Sequence, residues 1–600
     1  MQFTNSGILQ SITSSFRHSW PSFKLAWHSS RLLCCVVGLL TVGASGFPLA
    51  VAYVGKLIID AIVAGNLHST LMWIGVEGLI VAMQSGVARL LFLSQTVLGA
   101  KLGADVNILI LEKAVQLELQ HFEDSEIYDQ LTRARQQASV RPVAMVTDML
   151  QLIQHALTFV GYLGLLLSFS PYIVLGLIIA SVPATISEMK FSNTAFRMRT
   201  RRSPESRKLN YLEYVLATDD HVKEVKVLGL SHLFLNRYRE LAYQFFREDK
   251  TLAITRSMWA YGLSLGATVM FYGCYLYLGF SAAMGVITLG YLMLYIVAFR
   301  QGQQAFQSGL TAVGNMYESN LYMSNLFEFL SIPTHAPSHR PFLTPDPPTE
   351  YGIRFDNVGF QYAGKSTWAL RHISLFIPQG QRLALVGHNG AGKSTFIKLI
   401  LRLYAPTEGR ILLDGIDLQD WPIDQLHHRM AVVFQDFNEY QLSVKENVGV
   451  GKVDFLDDTP AITQAIDMGG MTDVITELPD GVDTQLGRWF SKGMELSGGQ
   501  WQKVALSRGF MRQDADILIL DEPTAALDAV AEKAVFDRFA ALTKGKTSLL
   551  ISHRFPTVRT ADFIVVIEKG QIIEEGTHDD LINKNGTYAT LFNLQAAGYL

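Results

Sequence analysis

Cysteine and charge are both scarce in this chain of 600 residues. Asp, Glu, Lys and Arg make up 17% of it against 49% hydrophobic residues, and the mean hydropathy is +0.20. That balance excludes a wholly soluble protein and puts at least one domain in lipid. The cysteines, Cys34, Cys35 and Cys274, all fall in apolar stretches without metal-ligand spacing. They read as small buried apolar side chains and imply no disulfide framework. No Lys/Arg block resembles a nucleic-acid arm, and a net charge of -4 offers polyanions no general attraction, so no nucleic-acid partner is expected. A secretory signal is missing too: the first long apolar stretch begins only after residue 31 and lacks a small-residue cleavage site. The N-terminus is expected to be retained.

Long apolar runs, by contrast, are abundant. Stretches of the length that crosses a bilayer lie near 32–58, 71–96, 149–168, 171–189, 257–278 and 282–303, which predicts six spans. Polar stretches 97–148 and 190–256 join the second span to the third and the fourth to the fifth; the other connections are short. The stretch 190–256 carries Lys190, Arg197, Arg199, Arg201, Arg202, Arg207 and Lys208, whereas 59–70, 169–170 and 279–281 contain no Lys or Arg. The positive-inside bias then predicts cytoplasmic long loops and termini in a multi-pass protein of the cytoplasmic membrane. The helical spacing of both loops predicts helices that run on past the lipid.

Residues 331–350 hold Pro333, Pro337, Pro341, Pro345, Pro347 and Pro348, an extended linker in which a helix cannot continue. The membrane domain is therefore expected over 1–330. From 351 to 600 short β-type runs (ILILD, SLLIS, FIVVIE) alternate with helical ones, the pattern of an α/β domain.

Within it, VGHNGAGKST (386–395) fits G-x-x-x-x-G-K-[ST] between an apolar strand and a helical run. Gly387, His388, Asn389, Gly390, Ala391 and Gly392 supply backbone N–H groups to nucleotide phosphates at a helix start. Lys393 adds a cation, Ser394 a hydroxyl for Mg²⁺, and Thr395 is expected to contribute to nucleotide binding at the start of the helix. ILILDEP (517–523) delivers Asp521 and Glu522 at the polar end of a strand. Alone the pair could cap a helix; beside a phosphate loop, Asp521 is placed to hold Mg²⁺ and Glu522 to orient or deprotonate the attacking water. ATP hydrolysis is the predicted reaction. LSGGQ (496–500) offers the Ser497 hydroxyl and the backbone amides of Gly498, Gly499 and Gln500 to an anion, although by itself it is an ordinary capped turn.

In this order the motifs resemble the ATP-binding cassette family. The resemblance implies that Tyr362 stacks on adenine, Gln435 contributes to metal binding and catalysis, Ala525 to Asp528 form the D-loop with Asp528 at the nucleotide, and His553 is the catalytic switch histidine. A strand-end histidine satisfied by backbone is the plainer alternative for His553. The resemblance also implies that LSGGQ completes the ATP site of a second cassette; with one cassette and six spans, this is a half-transporter expected to form a homodimer with ATP sandwiched between cassettes. A six-helix membrane domain fused ahead of an α/β P-loop ATPase domain resembles ABC exporters, whose coupling helices would correspond to 122–129 and roughly 215–224. Where such exporters carry a short acidic turn before the signature, this chain has Arg488, Trp489 and Phe490. That variant and the adjacent Trp501 resemble the branch exporting lanthipeptides and other modified peptides. The expected cargo is such a peptide, with a lipid or another small molecule as the rival; a cassette-gated channel or a regulatory ATPase is the reading from another class.

Two charges sit inside expected spans, Lys56 and Glu77. Charges there are costly and are expected to face protein or water. Arg89 lies about 18 Å from Glu77 along one helix, which makes Lys56 the expected partner of Glu77, in a pair that fixes helix packing or contacts cargo.

Overall fold

The computed structural model describes residues 18–124, 141–334, 351–522, 545–552 and 558–596, with a few positions between. The chain divides into two compact units, Met1–Leu117 with Asp124–Ile332, and Glu118–Glu123 with Pro333–Leu600.

The first unit is helical. Its helices are α1 (Ser19–Ser29), α2 (Arg31–Val63), α3 (Leu67–Val115), α5 (Arg141–Leu167), α6 (Pro171–Arg201), α7 (Ser203–Ala217), α8 (Asp219–Val227), α9 (Ser231–Ala283) and α10 (Leu289–Leu330), while α4 (Leu119–Glu123) belongs to the second unit. Polar side chains set the starts: Ser30 accepts from the Leu33 N–H, Asn66 from Ser69, and Thr288 from Tyr291. By length and composition α2, α3, α5 and α9 can each cross a membrane. α6 and α10 cover the other two expected spans. Helices α3 and α9, 49 and 53 residues long, extend well past a hydrocarbon core of about 30 Å. The sixth span starts later than its apolar run suggests. Gly285 at φ 74 follows the end of α9 and Thr288 caps the next helix, so 284–288 is a turn and α10 begins at Leu289.

The second unit builds two sheets. β1 (Gly352–Phe360), β2 (Leu370–Pro378), β4 (Glu408–Leu413) and β5 (Ile416–Asp417) form an antiparallel sheet in the order β2-β1-β4-β5. β3 (Arg382–Val386), β6 (Met430–Val433), β7 (Ile517–Asp521), β8 (Thr547–Ile551), β9 (Phe563–Glu568) and β10 (Gln571–Gly576) form the other, ordered β10-β9-β3-β8-β7-β6 and parallel except at β10. Central strands of parallel sheets are buried on both faces, and β7 and β8 are buried throughout. Helix α11 (Lys393–Ile400) packs between the sheets, where Phe396 stacks on Phe355 at 4.3 Å between ring centroids. A helical part, Val444–Gly449, Thr459–Gly469, Thr472–Glu477 and Gly498–Phe510, closes on its own core around Trp501.

Trp501 is 1% exposed and its indole N–H donates to Glu495. Replacing it with alanine should therefore cost about 3–5 kcal/mol. Thermal unfolding of the purified protein should show a lowered midpoint for Trp501→Ala and a clearly smaller drop for Trp501→Phe; equal midpoints for all three would show that this core does not limit stability.

Candidate functional site

The site grows from the carboxyl ends of β3 and β7, separated in the sheet only by β8. β3 runs straight into Gly387, which packs so closely that a Cβ there would lie 2.2 Å from the Ile567 carbonyl. Only glycine fits. The loop then turns at Gly392, φ 110, the N-cap of α11. His388, Asn389 and Gly390 are exposed along the loop while Ala391 is buried. Lys393 is buried, and its ammonium donates to the carbonyls of Gly387 (2.7 Å) and His388 (3.1 Å). Burial lowers the Lys393 pKa, opposed by the charges of Glu522 and Asp521.

Asp521 ends β7 at 5% exposure, and its Oδ1 has no hydrogen-bond partner. Burial, and then the neighbouring Glu522 charge, push its pKa up to about 6, against a hydrogen bond with Ser394. A buried carboxylate with an orphan oxygen beside a serine hydroxyl is a donor set that fits Mg²⁺. Glu522 follows at φ 47, a conformation rare outside glycine, fixed by its N–H donating to Ile551 O at 3.0 Å. Its Oε2 accepts from the Gln435 amide at 3.0 Å. Adjacency of the strands explains that contact: β6 pairs with β7 with Val433 opposite Leu520, and each side chain lies two residues further on.

Tyr362 donates to or accepts from Thr395 Oγ1 at 3.0 Å, and its ring meets Phe360 and Tyr404 edge-on. Ser497 caps the Gly498–Phe510 helix in a capping box with Gln500; Ser497 and Gly498 are exposed and Gly499 is half-buried. The structure thus gathers Lys393, Ser394, Thr395, Gln435, Asp521 and Glu522, with Tyr362 on the Thr395 side. Asp528 and His553 lie outside the described residues.

Two segments singled out in the sequence make contacts that were not visible in it. Helix α4 overlaps the first two residues of the segment 122–129 expected to hold a coupling helix; Leu119 packs on the core of the second unit, and Glu123 accepts from Tyr404 (2.5 Å) and pairs with Lys398 (3.0 Å). Burial raises the Glu123 pKa, but hydrogen bonds from Tyr404 and Lys398 outweigh it and hold the carboxyl below its ordinary value. Lys398 also lies over the Tyr362 and Tyr404 rings. The second segment is the loop before the signature. Arg488 pairs with Glu495, the Trp489 N–H donates to Gln441, and Trp489 itself is 85% exposed.

The ABC transporter family model matches residues 370–525, from β2 through the Asp521–Glu522 pair. The subtilin transport ATP-binding protein SpaT of Bacillus subtilis is 33% identical over 488 residues, 80% of this chain and 78% of that protein. The chain belongs to the ABC transporter family. An ATP-dependent lipid A-core flippase of Ralstonia nicotianae is 42% identical over 246 residues, 41% of each chain. Among solved structures, a bacterial Atm1-family ABC exporter with ATP bound superposes with a TM-score of 0.77 over 94% of this chain and 98% of that one, at 23% identity. This transporter is thus a fused membrane-domain and cassette exporter, a multi-pass membrane protein in which nucleotide binding and ATP hydrolysis drive transport.

Two outcomes follow for this exporter. Glu522→Gln should lower steady-state ATP hydrolysis by about 10²–10⁴-fold while leaving ATP binding near wild type if Glu522 is the base the sequence predicts, since Gln keeps the shape and cannot take the proton; Lys393→Ala should weaken binding itself. Glu123→Ala should raise the KM for ATP about 3- to 10-fold with a smaller change in kcat. Tyr404→Phe added to it should change little more, because the two side chains share one contact; fully additive effects on KM would separate them.

Proposed function

We propose that this chain is a half-transporter that exports a modified or antimicrobial peptide across the cytoplasmic membrane as a homodimer, with both termini and the cassettes in the cytoplasm. The observation that carries the peptide reading is the reach of the subtilin-transporter match, 488 residues. That is too long to lie in the cassette alone, so it includes the part of the chain that meets cargo. The flippase match, 246 residues, is no longer than a cassette. It supports shared ATPase chemistry and leaves lipid export as the second reading.

On this reading the Gly387–Gly392 loop and Lys393 hold the phosphates, and Tyr362 swings from Thr395 to stack on adenine. Ser394 and Asp521, with Gln435, would hold Mg²⁺, which supplies charge neutralisation at the β and γ phosphates. Glu522, turned out of the sheet by its left-handed backbone and oriented by Gln435, takes the proton of the attacking water. Ser497 and Gly498, exposed, with the half-buried Gly499 and Gln500 complete the site of the second copy, with Asp528 and His553 in the roles the family implies.

Sealed inside-out vesicles should accumulate a lanthipeptide-type peptide only with hydrolysable ATP. Accumulation of labelled lipid but not peptide would favour the second reading, and ATP-gated passive ion current would remove export altogether. Mixed dimers test the shared site. With Lys393→Ala on one chain and Ser497→Arg on the other, both lesions fall in one composite site and the other stays intact, so part of the turnover should survive. Placing both substitutions on the same chain damages each site once and should abolish it.

A further inference from the structure

The membrane-spanning unit holds a cavity of about 330 Å³ between α2, α3, α5 and α10. Val51, Ala52, Leu294 and Val297 make its walls largely apolar, and Lys56, Glu77, Gln84 and Gln301 give it polar groups. Lys56 is not the partner of Glu77 that the sequence suggested. It pairs with Asp60 one turn along α2, at 3.3 Å, and lies 4.1 Å from the centre of the Tyr291 ring, with its side chain 11% exposed. A residue one turn away on the same helix meets the ammonium without any chain rearrangement, and α10 closes over the pair at Gly290, where a Cβ would sit 2.4 Å from Asp60 Oδ1.

This leaves the cavity with a net negative charge. The Lys56 ammonium is neutralised by Asp60 and faced by an aromatic ring, whereas among the described residues no ion pair engages Glu77. Gln84 lies seven residues on, two turns along the same face of α3, and Gln301 comes from α10. A carboxylate in a span is costly unless something compensates it. One carboxylate among amides and apolar walls is complementary to an ammonium or guanidinium group on an apolar stem. The volume is near the lower end of the about 300–1,000 Å³ typical of small-ligand pockets, which suits one side chain or one end of a cargo.

We propose that this cavity is a cargo subsite for a cationic group, with Glu77 as its counter-charge and Gln84 and Gln301 as its hydrogen-bonding partners. The proposal rests on the peptide-export reading and narrows the cargo to peptides carrying lysine, arginine or a free amino terminus. The test uses the full-length protein in nanodiscs and two amphipathic peptides identical except for lysine or glutamine at the same positions. Wild type should bind the lysine peptide more tightly, Glu77→Gln should weaken that binding about tenfold while barely changing the glutamine peptide, and Glu77→Asp should keep the preference. Equal binding of the two peptides by wild type, or equal weakening of both by Glu77→Gln, would overturn the proposal. Dodecylammonium and the matching uncharged alcohol serve as a second pair. If wild type bound neither peptide, the peptide reading would fall, and a Glu77-dependent preference for dodecylammonium would still support the cation subsite; no such preference would end it as well.

Discussion

Two carboxylates, Asp521 and Glu522, stand side by side at the end of a fully buried strand, and the Lys393 ammonium nearby is already committed. Lys393 donates to two carbonyls of its own loop. Asp521 is left with an orphan oxygen and a pKa pushed up to about 6 by burial and by its neighbour. Such a site gains from any ligand that brings positive charge to Asp521 and gives Lys393 an anion, and a metal-bound polyphosphate does both. The parallel sheet makes this arrangement possible, because strands buried on both faces open a crevice only beyond their carboxyl ends.

The same economy of contacts organises the helical part of the cassette. Arg508, near the end of the signature helix, donates to the carbonyls of Asn438 and Asn447 and lies over the Tyr440 ring. The segment following Gln435 is thus clamped to the helix that Ser497 begins. Glu495 receives both Arg488 and the Trp501 indole, so the unusual loop before the signature is tied to the same core. Trp501 stands out in the sequence as a mark of one exporter branch; physically it is the anchor of that core, and it is Trp489 that is offered to solvent.

Much of this was legible from local pattern. The phosphate loop, the Asp521–Glu522 pair and the signature each lie within a few residues, so spacing alone announced them, and the long apolar runs marked the helices. Contacts between distant segments were not legible. Glu123 and Tyr404 lie 281 residues apart, and nothing in either neighbourhood points to the other. The partner of Lys56 differs for the opposite reason: the local i,i+4 contact with Asp60 prevails over the expected charge on the next helix. The left-handed backbone of Glu522 had no signal either, since it comes from the Ile551 carbonyl on a strand closed much later in the chain.

Helix α3 joins these observations. It runs unbroken from Leu67 to Val115, without proline, and carries Glu77 in its first third. Two residues past its end the chain enters Glu118–Glu123, the segment that packs with the cassette core and bonds Tyr404 and Lys398. A hydrogen-bonded helix of that length is stiff along its axis, bending gently unless a proline, bulge or inserted group breaks the ladder. The carboxylate proposed to meet cargo therefore sits on the helix whose C-terminal end leads, through Gln116 and Leu117, into the short helix that carries Glu123. A displacement of Glu77 along the axis of α3 would reach Glu118–Glu123 through two residues of backbone, and Tyr404 from there through the Glu123 hydrogen bond.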